Sequence, residues 1–232
     1  MDVETWLPVY DALLADFGFD RTADERARDV LATLTGSFDL SRLEGVSGAT
    51  VAVAGAGPSL ESPEALATAR ASDVVFAAST AVDVLEANDV SVDCMITDLD
   101  KNPETVVRLT ERGTPVAVHA HGDNIPAIRS IVPQCDGEYV LPTTQAEPTG
   151  PVLNFGGFTD GDRAAFLADH LGAVELAFVG WDFDDSTVDS VKAHKLEWAE
   201  RLLYWLEIRR GERFDVLEGR RDAIDTRFLP LE

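Results

Sequence analysis

The chain has 232 residues, 45% hydrophobic and 26% charged, which is material for one large domain or for a domain with an appendage. Its 42 acidic against 19 basic residues leave a net charge of −23, so it lacks the basic surface that non-specific nucleic-acid binding needs and is disfavoured at anionic membranes. No apolar run approaches the ~20 residues of a membrane span, the start Met1-Asp2-Val3-Glu4 has no signal-peptide pattern, and Cys94 and Cys135 are too few for a disulfide framework or a four-cysteine zinc site, which together predict a cytoplasmic protein.

Lys101, Lys192 and Lys195 are the only lysines, so arginine carries the other positive charges. High acidity with scarce lysine is the halophilic pattern: carboxylates keep the surface hydrated while abundant cations screen their repulsion. Any lysine retained in such a chain asks for a reason.

Residues 1–45 read as helical. Trp6, Val9, Tyr10, Leu13, Leu14 and Phe17 recur at helical spacing before a stop at Gly18. Thr22 and Glu25 have capping-box spacing ahead of a second helix that ends near Gly36. From Ala49 onward, short apolar runs alternate with helical stretches. The runs predict strands at 50–54, 74–78, 93–97, 115–120, 138–141 and 175–179, and the stretch 141–151, with three prolines, predicts a long loop. Such alternation predicts an α/β fold, a mostly parallel sheet covered on both faces. A last helix is expected from about Val188 to Arg209, with Val191, Trp198, Leu202, Leu203 and Leu206 on its apolar side. The expected division is an N-terminal helical segment (1–45), an α/β catalytic domain (46–210) and a C-terminal tail (211–232).

Four motifs carry candidate chemistry, the first three at strand ends and the fourth ahead of a helix. Gly55-Ala56-Gly57-Pro58-Ser59-Leu60 suits either a phosphate-binding turn or a tight turn with no ligand. In Thr97-Asp98-Leu99-Asp100, two carboxylates two positions apart on extended chain should share a side and converge on a cation, with Mg²⁺ favoured by hard oxygen donors; capping by Asp100 is the alternative. His119-Ala120-His121-Gly122-Asp123-Asn124 offers either Zn²⁺ ligands or donors to phosphate beside a metal-holding carboxylate. Asn154-Phe155-Gly156-Gly157-Phe158-Thr159-Asp160-Gly161-Asp162-Arg163 leads into a helix that Thr159 or Asp160 can cap and places Arg163 for bidentate phosphate contact. Gly180-Trp181-Asp182-Phe183 follows the last strand. Lys192 and Lys195, three apart on the final helix, share a face; Trp198 and Trp205 read as core, and His194 as a helix-surface residue without a role.

Taken in order, GAGPSL, TDLD, HAHGDN, NFGGFTDGDRA, GWDF and the KxxKL of the last helix resemble the archaeal 6-hydroxymethyl-7,8-dihydropterin pyrophosphokinase (MptE-like) family, over Gly55 to about Leu203. That family is related in fold to thiamin pyrophosphokinases, which implies a Rossmann-like three-layer sheet here. The resemblance implies Mg²⁺-dependent transfer of diphosphate from ATP to the pterin hydroxymethyl group with release of AMP, in folate or methanopterin synthesis. It implies Mg²⁺ at Asp98, Asp100 and Asp123, with Asp160 as a further candidate, and a reacting centre of Asp98, Asp100, His121, Asp123 and Arg163. Phosphate contacts would come from Gly55, Gly57, Ser59, His119, His121, Asn124, Gly156, Gly157, Thr159, Asp160, Arg163, Lys192 and Lys195. The chain departs from the family pattern after the second strand, where Ala78-Ser79-Thr80 stands in place of an Asp-Gly. The implied partners are small molecules, with no nucleic acid and no membrane; a homo-oligomer stays open. Two other readings compete: a metal-dependent hydrolase built on the His-x-His-x-Asp run, and a nucleotide-binding module without turnover.

The charge excess carries a test of its own. With 23 net negative charges to screen, the melting temperature should climb as KCl is raised toward molar levels; a flat or falling profile in a thermal-denaturation series would count against halophilic adaptation.

Overall fold

A computed structural model describes residues 1–231. Six parallel strands, β1 (Thr50–Ala54), β2 (Val74–Ala78), β3 (Cys94–Thr97), β4 (Val116–Ala120), β5 (Val140–Thr144) and β6 (Glu175–Val179), form one sheet in the order β5-β4-β3-β2-β1-β6. The chain therefore steps in one direction from β1 to β5, then returns past β1 to lay down β6 on the far side. The topological switch lies between β1 and β6, and open α/β sheets bind ligands beside the carboxyl ends of strands at such a point.

Alternation along each strand divides the core in two. Val51, Val53, Val74, Phe76, Cys94 and Ile96 face one layer. Ala52, Ala54, Val75, Ala77 and Met95 face the other. This second layer holds α2 (Arg21–Leu34), α3 (Pro63–Ala71), α4 (Ala81–Ala87), α5 (Pro103–Glu111) and α6 (Ile125–Ile131). The first holds α1 (Val3–Phe17), α7 (Asp160–His170) and α8 (Ser190–Arg210), with Phe214, Leu217 and Leu229 of the C-terminal stretch packed into the same core. Sheet faces buried on both sides explain strands rich in Val, Ile and Ala with little polar alternation. The architecture is the expected α/β, Rossmann-like three-layer fold.

The N-terminal helices belong to these layers. Trp6 of α1 lies edge-on to Phe166 of α7 at 6.4 Å, and Phe166 meets Trp205 of α8 at 6.0 Å. Asp16 Oδ2 accepts from Trp198 Nε1 (2.6 Å) and pairs with His194 Nε2 (2.8 Å), so His194 clasps α8 to α1. Trp198 and Trp205 are fully buried, as their spacing predicts.

Several local expectations shift. Asp20, not Thr22, caps α2, because its carboxylate accepts from Thr22 N and thereby starts the helix earlier. That helix ends at Leu34 with an extended Thr35, so Gly36 is not its stop. The fifth strand starts at Val140, preceded by a 3-10 turn at Gly137–Tyr139 whose N-terminus Asp136 caps. Part of the expected proline loop is thus strand, and its sequel turns back along β5: Thr144 N donates to Leu153 O and Leu153 N to Pro142 O, both 2.9 Å, which covers the sheet edge. Val191 is 58% exposed rather than on the apolar side of α8.

Phe166 locks α1, α7 and α8 together without reaching the ligand cleft. Phe166→Ala should therefore cost about 3–5 kcal/mol in urea denaturation through the cavity it leaves; a loss under 1 kcal/mol would show that these three helices do not share one core.

Candidate active site

The turns after β1, β2, β3, β4 and β6, the start of α7, the start of α8 and the α1–α2 junction surround one cleft of about 930 Å³. Its walls include Asp98, Asp100, Lys101, His121, Asp123, Thr159, Asp160, Arg163, Lys192 and Lys195. Every lysine of the chain is therefore in this cleft.

The acidic centre is built by a turn, not by strand alternation. β3 ends at Thr97, and Leu99 takes φ +67°, a left-handed conformation costly for a bulky side chain. Leu99 N donates to Thr97 Oγ1 (3.0 Å) and Asp100 N to Asp98 Oδ1 (3.2 Å), which folds the two carboxylates onto each other. Asp160 joins them from the first turn of α7. Burial and the neighbouring Asp98 charge push the Asp160 carboxyl up to about 7, while Arg163 opposes the rise. Burial, then the hydrogen bond shared with Asp98, raises Asp100. Burial also works against ionisation of Asp98, but hydrogen bonds with His121 and Asp100 and the Arg163 charge outweigh it and hold Asp98 well below the usual carboxylate range. His121 Nε2 stands 3.5 Å from Asp98 Oδ2.

Arg163 is 7% exposed and makes its contacts with Nη1 to Asp160 Oδ1 (2.9 Å) and Nη2 to Gln145 Oε1 (3.3 Å), leaving Nε buried without a partner. The capping role falls to Thr159 and Asp162: Asp162 accepts from Phe158 N (2.6 Å) and Thr159 N (2.8 Å), which frees Asp160 to face the cleft. Gly156 and Gly157, both at positive φ, shape this turn; a Cβ on Gly157 would lie 2.7 Å from Arg163 Cα. They do not line the cleft.

The His-x-His-x-Asp run divides. His119 is buried beneath the cleft without lining it, and its Nδ1 meets Thr143 Oγ1 at 3.1 Å. Thr143 already donates to Val118 O (3.1 Å), so His119 Nδ1 carries the proton and Nε2 is a buried lone pair without a partner. Burial, reinforced by the Arg163 charge, pushes its pKa well down. His121 turns to Asp98, and Asp123 lies exposed at the rim. Asn124 is structural: its side-chain NH₂ donates to Asp98 O (2.8 Å) and His119 O (2.6 Å), and Oδ1 accepts from His121 N (3.0 Å). Among the described residues, no three His, Cys, Asp or Glu side chains form a ready metal-binding group, so neither the zinc alternative nor the expected trio of Asp98, Asp100 and Asp123 is preassembled.

The glycine turn after β1 also differs from a phosphate cradle. Gly55 N donates to Val179 O (2.8 Å), Gly57 N to Gly180 O (2.9 Å), and Ser59 gives both N–H (2.9 Å) and Oγ (2.7 Å) to Asp182 Oδ2. A Cβ on Gly55 would come within 2.5 Å of Gly180 O, so glycine serves the close approach of the β1 and β6 turns. Gly55 and Gly57 still line the cleft; Ser59 does not.

Sequence reasoning assigned no role to Lys101, Gln145, Asp24, Ser79 or Phe19, all of which line the cleft. Lysine scarcity was a legible signal for Lys101. The others depend on tertiary placement. Ser79 sits at φ +48° with its Oγ buried and unpartnered, in the turn where the chain departs from the family pattern. Trp181 anchors the β6 turn by donating Nε1 to Val53 O (2.9 Å) and packs against Gly161, where a Cβ would lie 2.7 Å from its ring.

A parallel sheet with carboxylates and cations gathered at the carboxyl ends of its strands places the cleft where open α/β folds bind their ligands. Residues 29–188 match the family described as 6-hydroxymethylpterin diphosphokinase MptE-like. The chain is 40% identical over 226 residues to a 6-hydroxymethyl-7,8-dihydropterin pyrophosphokinase of Methanothermobacter thermautotrophicus, covering 89% of this chain and 96% of that one. It is 36% identical to the protein of that name from Pyrococcus furiosus (89% and 95% covered) and 30% identical to that from Methanocaldococcus jannaschii (89% and 96%). The chain belongs to the MptE-like diphosphokinase family and is a diphosphotransferase enzyme.

The raised pKa of Asp160 has a definite sign in stability. Between its unfolded value, near 4, and about 7, the folded state binds the extra proton, so this group's contribution to stability falls as pH rises through that window. In metal-free thermal melts, Asp160→Asn should match wild type near pH 4 and gain on it steadily toward pH 8; a difference independent of pH would contradict the charge assignment.

Proposed function

We propose that the chain transfers diphosphate from ATP, with Mg²⁺, to the hydroxymethyl group of 6-hydroxymethyl-7,8-dihydropterin and releases AMP. The observation that carries this reading is the gathering of Lys101, Lys192, Lys195 and Arg163 around the Asp98–Asp100–Asp160 cluster in a chain otherwise dominated by negative charge. These cations offset part of the charge that a triphosphate brings into a cleft also lined by aspartates. The printed names of the relatives supply the acceptor.

The donor set fits a divalent cation. Asp98 and Asp100 sharing a hydrogen bond, with Asp160 at their side, are three carboxylates that repel unless a cation or a proton lies among them. Mg²⁺ uses one or two carboxylates and completes its shell with water and phosphate oxygens, so a pair suffices where a full protein cage would be needed for zinc. We assign it to Asp98 and Asp100, with Asp160 beside them; Asp123 at the rim is placed to meet incoming ligands. When bound, the ion would neutralise charge on the phosphate oxygens.

In the reaction the pterin hydroxyl oxygen bonds to the β-phosphorus as the bond between that phosphorus and the α–β bridging oxygen breaks. AMP leaves with the bridging oxygen, and the hydroxyl proton departs toward the carboxylates. Arg163, held by Asp160 and Gln145, and Lys192 and Lys195 on α8 grip the diphosphate that moves. Lys101, next to the acidic pair, offsets its charge and that of the nucleotide. The His-x-His-x-Asp hydrolase reading loses its support because His119 is buried against Thr143 and does not line the cleft with His121 and Asp123. We further infer a cytoplasmic, salt-adapted enzyme supplying an archaeal folate or methanopterin route.

Chromatography of nucleotides after incubation with ATP, Mg²⁺ and the hydroxymethyl pterin tests this reading. AMP should appear in a one-to-one ratio with pterin diphosphate. ADP as the stoichiometric product, or ATP hydrolysis with the pterin unchanged, would overturn it.

A further inference from the structure

The N-terminal helices reach the cleft through one buried carboxylate. Asp24 of α2 is 4% exposed. Its Oδ1 accepts from the Gly122 backbone N–H (2.7 Å), and its Oδ2 from the Tyr10 hydroxyl (2.7 Å) and Gln145 Nε2 (2.7 Å). None of these donors is a cation, and a carboxylate removed from water among neutral donors is costly. Gln145 turns its other end, Oε1, to Arg163 Nη2. The Gln145 amide can present oxygen to the guanidinium only while its NH₂ has an acceptor behind it, and Asp24 is that acceptor. The contact to Gly122 is equally specific: a Cβ there would come within 2.7 Å of Ala23 Cβ, so the turn between His121 and Asp123 seats on α2 because it carries glycine.

We propose that Asp24 is a positioning residue of the transfer reaction. Through Gln145 it fixes the direction in which Arg163 meets the diphosphate, and through the Gly122 N–H it sets the turn that carries His121 and Asp123. The identity of the anion rests on the reading under Proposed function; the orientation of Arg163 toward an anion does not.

The donor–acceptor order allows a swap. In D24N the new amide can still accept from Gly122, but it turns NH₂ toward the Gln145 NH₂. Gln145 must then flip and face the guanidinium with its own donors. In Q145E alone, two carboxylates abut. In D24N/Q145E the new carboxylate accepts from the new amide on one side and from Arg163 on the other, with total charge unchanged.

The test uses the full chain in saturating Mg²⁺, with folding checked by circular dichroism. Turnover of ATP with the hydroxymethyl pterin and the affinity for inorganic pyrophosphate by calorimetry are both read. D24N and Q145E should each lose about tenfold or more in both, and D24N/Q145E should recover to within about threefold of wild type. Should D24N fail to fold, Q145M, which keeps the shape but cuts the link, should show the same loss. Wild-type behaviour of folded D24N or of Q145M, or a folded double variant no better than D24N, overturns the proposal. A wild-type chain that binds pyrophosphate without modifying the pterin defeats the functional reading alone, and the pyrophosphate series still decides the role of Asp24. A wild-type chain that does neither defeats both.

Discussion

A chain with a net charge of −23 has to bind a polyanion, and that constraint organises the molecule. Across most of the surface the acids face solvent, where water and salt screen them. In the cleft acids still outnumber bases, but Lys101, Lys192, Lys195 and Arg163 reach it from three separate parts of the chain. The arginines elsewhere are largely tied up in structural ion pairs, such as Arg108 with Glu86, Arg210 with Asp169 and Glu212, and Arg221 with Glu207. Cations spent in such pairs are not available to a ligand. The lysines make no ion pair within 4.0 Å among the described residues, which leaves their charge for what enters the cleft.

The same cleft concentrates backbone strain. Ser79 and Leu99 take positive φ in the turns after β2 and β3, and Asn102 does so at the start of α5. A left-handed residue in each turn reverses the chain abruptly, so that side chains leave the sheet edge in directions an extended strand would not allow. Strain here is offset by the surrounding packing: Leu99 is 3% exposed and its N–H is held by Thr97 Oγ1. The β1 and β6 turns solve the opposite problem, that of approach. Gly55 and Gly180 bring two backbones so near that a side chain on either would collide, and the carboxylate of Asp182 satisfies the donors of Ser59. The switch point of the sheet is thus sealed at its base, and the ligand space opens toward β2, β3 and the start of α7.

The N-terminal helices are more than a cover for the sheet. Trp6 Nε1 donates to Gln145 O (2.7 Å), Tyr10 and Gln145 meet on Asp24, and Asp16 clasps α8, which carries Lys192 and Lys195. Both walls of the cleft therefore lean on α1 and α2, one through Gln145 and the other through α8. Deformation of this pair would be felt at Arg163 and at the lysines together.

Much of this was legible in the amino-acid order, for reasons that are local. Strands β1, β2 and β6 are bounded by apolar runs and turn residues, so their limits follow from pattern; the burial of Trp198 and Trp205 follows from helical spacing. Asp98, Asp100, His121 and Arg163 stood out because charged side chains at strand ends and a helix start have few structural uses. Lysine rarity marked Lys192 and Lys195. The rest depended on what lies opposite. Whether a glycine turn holds a phosphate or another backbone is decided by the β6 turn, more than 100 residues away in sequence, and whether a histidine lines the cleft or is buried beneath it is decided by partners such as Thr143 on the neighbouring strand. Asp160 entered the acidic cluster because Asp162 took the capping bonds. Asp24 and Gln145 looked ordinary because hydrogen-bond partners 98 and 121 residues apart leave no periodic trace. Periodicity and turn chemistry record what a residue does to its neighbours in the chain; only the folded structure decides what it meets across the cleft.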